Sequence, residues 1–285
     1  MEGDPVLEMR VLADAANVDL LHLRLQESLE KSMRAIELAG RADDTHTHVL
    51  AGYTAVLANL QLGQLDGARL QASTLMALTE GLRDRFWVCM ALRANQDAAQ
   101  MAGHFDAARE FSDRALAASP TEIRALCTRA VLECEIGDSA QAEIFLDRLV
   151  DVMRLTSAGP TIENGVTAAA VAIAGRIGGV PDRPGVAQAA AQPVISFTDA
   201  VPFVNATARL SIGLLSVERG EKTAAQEQYL ALKPYRGRMW LFVNVATDRV
   251  LGLLSQTFGD LDKSASHFED SLSFCRRAGF RPELA

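Results

Sequence analysis

A glycine followed by a short polar turn and then a small residue recurs along the chain. The motif occurs at Gly63–Ala68, Gly103–Ala108, Gly137–Ala142, Gly220–Ala225 and Gly259–Ser264. Successive glycines lie 40, 34, 83 and 39 residues apart, and Gly178-Gly179 falls near the middle of the long interval. A period of this size is typical of repeat architectures, with one degenerate unit hidden between regular ones.

The turn chemistry indicates what each repeat is. Glycine readily takes the left-handed conformation that ends many helices. The acidic residues that follow can cap the next helix or oppose its dipole, and we expect this of Asp66, Asp106, Asp138 and Asp260 or Asp262. The fifth residue after each glycine is small enough to let two helices approach closely, and these residues are Ala68, Ala108, Ala142, Ala225 and Ser264.

The segments between the glycines carry a helical period. After Gly103, an apolar stripe made of Phe105, Ala108, Phe111, Ala115 and Leu116 falls on one face. An isolated helical hairpin cannot bury such a stripe, so neighbouring hairpins must stack. The sequence therefore predicts an all-α fold, an α-α superhelix of about six to seven antiparallel helix pairs that forms a single domain over 1–285.

The pattern also predicts helix bounds. Residues 6–40 read as helical, with Gly40 as a stop, and Asp43, Asp44 and Thr45 supply caps for the next helix. The later helices are expected at 47–62, 65–80, 85–102, 105–118, 121–136, 139–156, 161–177, 185–192, 203–219, 222–232, 240–258 and 261–278. The stretch 157–203 is the least regular part, and Val194–Phe197 could pass for an isolated strand. Pro282–Ala285 resembles the first turn of a further helix, which predicts a fragment of a longer protein.

The repeats resemble those of the tetratricopeptide family over roughly 20–285. The match is best at 89–120, where Gly103, Ala108, Ala115 and Pro120 stand at that family's spacing and Phe111 falls one position early. Later repeats show a Leu/Ile-Gly pair and an aromatic residue nine positions after the turn glycine: Ile212-Gly213, Leu251-Gly252, Tyr229 and Phe268. A period near 40 rather than about 34 is more similar to the repeat region of MalT-like, LuxR-type transcription activators and of ATPase–adenylate cyclase fusion proteins. The stretch from Asp248 to Ala285 resembles these proteins best.

The resemblance implies a binding groove. In TPR-like superhelices, the first helix of each pair lines the concave surface. This geometry places a mixed set of polar side chains there: Tyr53, Arg93, Asp97, Gln100, Arg124, Glu135, Arg249 and Gln256. Such a lining suits a protein or peptide partner, and a solvated helix face without a ligand is the alternative.

Composition excludes several classes of function. A net charge of −8 and a pI near 5.2 argue against direct nucleic-acid binding, which needs a surplus of Lys and Arg. The N-terminus has no secretory signature, and no apolar run is long enough to cross a membrane, so we expect a cytoplasmic location. The cysteines are scattered without a CxxC pair, which favours buried reduced thiols; Cys127 and Cys134 would lie too far apart along one helix to form a disulfide.

Motifs for catalysis or cofactor binding are missing from the sequence. It has no phosphate-binding loop and no HExxH, and we predict no catalytic residues, no cofactor and no metal. His46 and His48 could hold a metal only in an extended loop, and helix capping is the alternative. His22, His104 and His267 have no evident partner for acid–base chemistry. The loop from Lys233 to Trp240 could hold an acidic peptide or a phosphate, or its Trp could simply cover the neighbouring helix pair.

These observations favour a non-catalytic scaffold. We expect it to bind a protein, peptide or effector within a bacterial signalling or transcription-regulatory protein. The alternative is an accessory repeat region of an enzyme, an adenylate cyclase or ATPase, whose catalytic domain lies outside this chain. A self-contained assembly scaffold is a third possibility, and the sequence does not fix the oligomeric state.

Overall fold

The structure is a computed structural model that describes residues 4–157, 159–179 and 183–284. Its described part holds fourteen α-helices in succession. They are α1 (Pro5–Leu21), α2 (Leu25–Ala42), α3 (Thr45–Leu62), α4 (Leu65–Glu80), α5 (Arg85–Met101), α6 (Phe105–Ala118), α7 (Ile123–Ile136), α8 (Ser139–Met153), α9 (Ile162–Gly178), α10 (Pro184–Ile195), α11 (Pro202–Arg219), α12 (Lys222–Leu232), α13 (Thr247–Phe258) and α14 (Leu261–Ala278).

The helices form seven pairs in two layers. Each odd-numbered helix contacts the next odd-numbered helix, from α1 through α13, whereas each even-numbered helix packs mainly on its sequence neighbours. The odd helices therefore make an inner layer and the even helices an outer one. The inner helices α3, α5, α7, α9 and α11 are buried along most of their length, because both of their faces are covered. This arrangement confirms the predicted all-α superhelix.

The glycines of the repeated motif join the two helices of five of the seven pairs. Gly137 and Gly259 end α7 and α13 with φ of 88° and 94°, which a side chain would strain. Asp138 and Asp260 then cap α8 and α14 by accepting from the backbone N–H groups of Gln141 and Lys263. Asp66 and Asp106 instead lie in the first helical turn, where they oppose the dipole without capping. The small residues predicted at the pair contacts are all buried.

The N-terminal region differs from the prediction of one helical stretch ending at Gly40. Leu23 takes a left-handed conformation (φ 59°) and separates α1 from α2. Asp19 stabilises this break because its carboxylate accepts from Arg24 and also pairs with Lys31. At the other end, α2 runs through Gly40 to Ala42, and Asp43 is the left-handed residue that terminates it. A short Asp side chain tolerates that conformation, so the chain does not need the glycine there.

The stretch predicted to be least regular contains an ordinary helix pair. α9 and α10 pack on each other and α9 also contacts the inner helices α7 and α11. Val194 and Ile195 are the last residues of α10 rather than a strand, and the Val-Pro-Asp segment 180–182 lies outside the described residues. The degenerate unit therefore keeps the repeat architecture although it lacks the sequence motif.

The helix predicted to begin at 240 begins only at Thr247, which corrects the expected 240–258. Met239–Trp240 pairs antiparallel with Val245–Ala246 instead, and the four residues between the strands include Phe242 and Asn244 with positive φ. All residues from 239 to 246 are buried. We call this segment, residues 239–246, the plug. Because the strand Met239–Trp240 contacts the inner helix α3, the plug fills the space that the inner helices enclose, which we call the inner channel.

The superhelix closes on itself. α1 contacts α11, and the Arg238 guanidinium donates to the carbonyl of Leu23 at 2.8 Å. At the other side, the backbone N–H of Arg281 donates to the carbonyl of Met101 at 3.1 Å. The Pro282–Leu284 segment, predicted to begin another α-helix, forms a single 3-10 turn that packs against α5. One hydrophobic core consequently runs from Leu20 to Phe280. Among the described residues, no helix is long and apolar enough to cross a membrane.

The different backbone conformations of two exposed glycines give a test. Gly40 lies within α2 and Gly220 has φ of 67°, and a Cβ at either position would meet no atom within 4 Å. Gly40→Ala should raise the unfolding free energy by about 0.5–1 kcal/mol because alanine favours the helix. Gly220→Ala should lower it by about 1–2 kcal/mol because of left-handed strain. Urea denaturation followed by circular dichroism measures both; a destabilised Gly40→Ala variant would contradict the continuous α2 helix.

Candidate functional site in the inner channel

The residues predicted to line the groove separate into two clusters around the plug. Tyr53, Arg93, Asp97 and Arg124 lie together at one end, and Gln100, Glu135 and Arg249 lie together at the other. Gln256 is exposed and belongs to neither cluster. The side chains of the two clusters face the inner channel, whereas the chain's own plug occupies the centre of the predicted groove.

Arg93 and Asp97 are the most deeply buried members of the first cluster. The Nη1 atom of Arg93 lies 2.5 Å from Asp97 Oδ2, and both side chains are almost completely inaccessible. The guanidinium also bonds the Tyr53 hydroxyl and stacks over the Phe242 ring at 4.7 Å. These residues therefore bind the plug rather than a partner in this conformation.

Burial has an electrostatic consequence at this ion pair. It raises the pKa of Asp97 to about 6, although the charge of Arg93 acts in the opposite direction. Several polar atoms between the plug and the inner helices have no hydrogen-bond partner among the described residues, including Arg93 Nε, Asp97 Oδ1 and Trp240 Nε1. The plug is consequently held mainly by apolar and cation–π contacts at this end, and only a cavity of about 60 Å³ remains beside Tyr53, Arg124 and Phe242.

The second cluster surrounds a larger cavity of about 330 Å³. Its lining comes from five parts of the fold: the turn before α6 with the start of α6, the end of α7, the end of α9, the start of α13, and the segment after α14. The residues are Gly103, Phe105, Glu135, Ile177, Arg249, Arg281, Pro282 and Glu283. We call this space the mouth cavity. Its size lies at the lower end of the range of small-molecule sites, and it combines apolar walls with a few charged groups.

Glu135 is the acidic group at the back of the mouth cavity. Its Oε2 atom accepts from Gln100 Nε2 at 2.9 Å. Burial raises the pKa of Glu135 to about 8, with a further upward contribution from Glu283, and the charge of Arg249 lowers it only partly. At neutral pH the carboxyl group is therefore mostly protonated and can donate a hydrogen bond.

Arg249 and Glu283 form the rim of the mouth cavity. Arg249 Nη1 lies 2.5 Å from Glu283 Oε1, while Glu283 Oε2 accepts from the backbone N–H of Ala246 at 3.2 Å. Burial raises the pKa of Glu283 against the lowering effect of Arg249. This carboxylate thus ties the segment after α14 to the end of the plug, a contact that sequence reasoning missed because Glu283 is 37 residues from Ala246.

His267 corrects the expectation that it has no partner. Its side chain is buried, with Nδ1 2.9 Å from Asp248 Oδ1 and Nε2 3.1 Å from the Tyr229 hydroxyl oxygen. Asp248 also accepts from the backbone N–H of Gly237 at 2.7 Å. No pattern in the sequence links these residues, since α12, α13 and α14 supply one each.

The same cluster has the composition of a metal site but is closed by an arginine. One ligand atom from each of Asp248, His267 and Asp270 lies within 4.8 Å of the others. The Arg236 guanidinium, however, already donates to Asp248 at 3.2 Å and to Asp270 at 2.6 Å. The network is therefore satisfied internally and anchors the loop that leads into the plug.

The other residues that the sequence suggested as binding or metal sites make their contacts within the protein. In the loop from Lys233, Arg236 and Arg238 bond within the chain, and Trp240 is buried against Tyr235 and Phe203 rather than only covering a helix pair. Asp44 caps α3 through the N–H of Thr47, so the segment with His46 is helical rather than an extended loop. All four cysteines are free and buried, as predicted, and burial raises the pKa of each thiol.

Comparisons with known proteins add little to this geometry. No protein-family model matches the chain, and no curated protein matches it. A solved structure that is similar is a tetratricopeptide repeat protein from Parabacteroides merdae, with a TM-score of 0.44 and 11% sequence identity over 98% of this chain and 100% of that chain. A likeness this distant carries no argument about function, and the fold stands on the helix packing itself.

Glu135 predicts a pH dependence of stability. Its pKa in the folded chain, about 8, lies above its ordinary value of 4.5, so the folded state holds a proton that the unfolded chain releases between those values. The unfolding free energy should therefore fall as the pH rises through this window. Relative to Glu135→Gln, the wild type should lose about 2 kcal/mol between pH 6 and pH 8. Denaturant titrations at pH 6 and pH 8 check this, with the exposed Glu269→Gln variant as control. If the unfolding free energies of the two variants change with pH in the same way, the prediction is wrong.

The buried ion pair gives a second prediction. Arg93→Met should lower the unfolding free energy by about 3 kcal/mol at pH 8, because it leaves the Asp97 carboxylate buried without a cation. The loss should be smaller at pH 5, where Asp97 takes up a proton. Arg93→Met/Asp97→Leu should recover most of the stability at both pH values, as measured by urea denaturation. A double variant as unstable as the single one would show that Arg93 acts through Phe242 and Tyr53 alone.

Proposed function

We propose that this chain is a non-catalytic helical-repeat module that binds an effector or a partner at the mouth cavity. One observation carries the proposal. The plug fills the middle of the inner channel, and the mouth cavity of about 330 Å³ is a concave space beside it that combines apolar walls with charged side chains from the inner helices α7 and α13. The inner helices α7, α9 and α13 and the segment after α14 meet there, so an occupant would contact both the middle repeats and the C-terminal end of the superhelix.

The absence of a catalytic role is part of the proposal. The described groups that resemble a catalytic arrangement, Tyr229, His267 and Asp248, are buried and bonded to one another and to Arg236. None of these three side chains lines the mouth cavity or the cavity beside Tyr53. Demonstrated turnover by the purified chain, abolished by a point variant that leaves the fold intact, would refute the proposal.

The biological setting is proposed from the sequence resemblance. We place the module in the cytoplasm, within a bacterial signalling or transcription-regulatory protein, where occupancy is relayed to an output domain. The alternative is an accessory repeat region of an adenylate cyclase or ATPase. The coding sequence beside this segment separates the two, because a helix-turn-helix supports the regulator and a phosphate-binding loop or cyclase motif supports the enzyme.

Site-specific crosslinking tests where binding occurs. A photo-crosslinking amino acid at Ile177, which is 39% exposed and lines the mouth cavity, should capture the occupant in the native cells. The matched control is the same amino acid at Leu230, which is 64% exposed on the outer helix α12. We expect an adduct at Ile177 alone. Equal adducts at both positions, or an adduct only at Leu230, would place recognition outside the mouth cavity.

A further inference from the structure

We propose that the mouth cavity is a binding site for a small organic acid, whose single carboxylate is held by Arg281, Arg249 and Glu135 and whose apolar body lies against Ile177 and Phe105. This inference rests on the proposed function and names the ligand chemistry of the same site. It follows from the hydrogen-bonding capacity, the net charge and the walls of the cavity.

The free hydrogen-bonding capacity at the cavity consists mainly of donors. Arg281 is exposed, and its guanidinium has no acceptor among residues 4–157, 159–179 and 183–284. Arg249 uses Nη1 on Glu283, which leaves Nε and Nη2 without an acceptor in that same set. Glu283 has both carboxylate oxygens engaged, by Arg249 and by the Ala246 N–H. A ligand with hydrogen-bond acceptors therefore complements the cavity, whereas a ligand with only donors does not.

The charge of the cavity favours an anion. Two guanidinium groups, from Arg249 and Arg281, line the cavity, whereas burial raises the pKa of both of its carboxyl groups, Glu135 and Glu283. The balance is therefore positive. Arg176 lines a small adjoining cavity together with Arg249 and Glu283. A carboxylate offsets this charge, whereas a phosphate dianion would lose more hydration on entering a partly buried place.

The position of Arg281 is fixed although its guanidinium is exposed. Its backbone N–H bonds the Met101 carbonyl, and its stem lies across Gly103, where a Cβ would come within 3.3 Å of the Arg281 Cβ. Planar guanidinium groups suit bidentate bonds to a carboxylate. The neutral carboxyl of Glu135, which lines the same cavity, supplies a further donor.

Glu135 also makes the site sensitive to pH. The groups that face it are Gln100 from α5, Arg249 from α13, and Glu283 and Arg281 from the segment after α14. Ionisation of Glu135 near pH 8 removes its donor and adds a negative charge beside the ligand. Affinity for an anion should consequently fall as the pH rises through about 8.

Isothermal titration calorimetry with compounds of matched length tests the proposal. Acetate, butyrate and hexanoate are titrated into the full chain at pH 7, together with hexylamine, hexanamide and hexyl phosphate. We expect saturable binding of the carboxylates that strengthens with chain length, and weaker or no binding of the other three compounds. Failure of every carboxylate to bind overturns the proposal, as does tighter binding of hexylamine or hexyl phosphate.

Two variants and a control assign the residues. Arg281→Met keeps the stem and removes the charge, and should weaken hexanoate binding by about tenfold or more. Arg114→Met removes an exposed arginine from the outer helix α6 and should leave binding unchanged. Glu135→Gln should abolish the loss of affinity between pH 7 and pH 9. Equal losses for Arg281→Met and Arg114→Met would show non-specific attraction and refute the assignment.

The two proposals fail in different ways. If crosslinking at Ile177 captures an occupant but no carboxylate binds, the mouth cavity remains the recognition site and the ligand chemistry is wrong. If carboxylates bind with the expected dependence on Arg281 and no occupant is captured at Ile177 in cells, the ligand chemistry stands and only the binding of a macromolecular partner at the mouth cavity fails.

Discussion

The burial of the plug inside the ring of inner helices is the contact on which the rest of the structure depends. An inner helix in an open superhelix would leave one face in solvent, but here residues 239–246 cover that face and are themselves buried. Burying apolar surface stabilises a fold by roughly 25 cal/mol per Å². In this segment, Trp240, Leu241 and Phe242 together supply that buried apolar surface. The inner helices can therefore be buried on both sides while the outer helices remain half exposed.

Three sets of polar contacts hold the plug in that position. Asp248 receives the N–H of Gly237 and the side chains of Arg236 and His267 at the base of the plug. Arg93 stacks on Phe242 near the middle, and Glu283 accepts from the end of the second strand. The contact of Arg93 with Phe242 joins segments that are distant in sequence, so the closed form depends on repeats from both halves of the chain.

The mouth cavity is a consequence of this closure. Because the segment after α14 returns to α5 and is tied to the plug by Glu283, it forms one wall of a space whose other walls belong to α6, α7 and α9. Burial there raises the pKa of both Glu135 and Glu283, so these carboxyl groups only partly offset the two guanidinium groups of Arg249 and Arg281. The fold thus produces a cavity with an excess of positive charge in a chain whose net charge is −8.

Local patterns in the sequence determined the repeat architecture. The positions of the turn glycines and the helical period of the apolar residues determined most helix bounds, because these features depend on neighbours within one pair. Only the tertiary structure decided that His267 meets Asp248, since no pattern in the sequence links these two side chains. It also decided that residues 239–246 leave the helical pattern and fill the groove, and that Glu283 closes the cavity. The plug and Glu283 are brought to their partners by the curvature of the whole superhelix, and no local period in the sequence encodes that curvature.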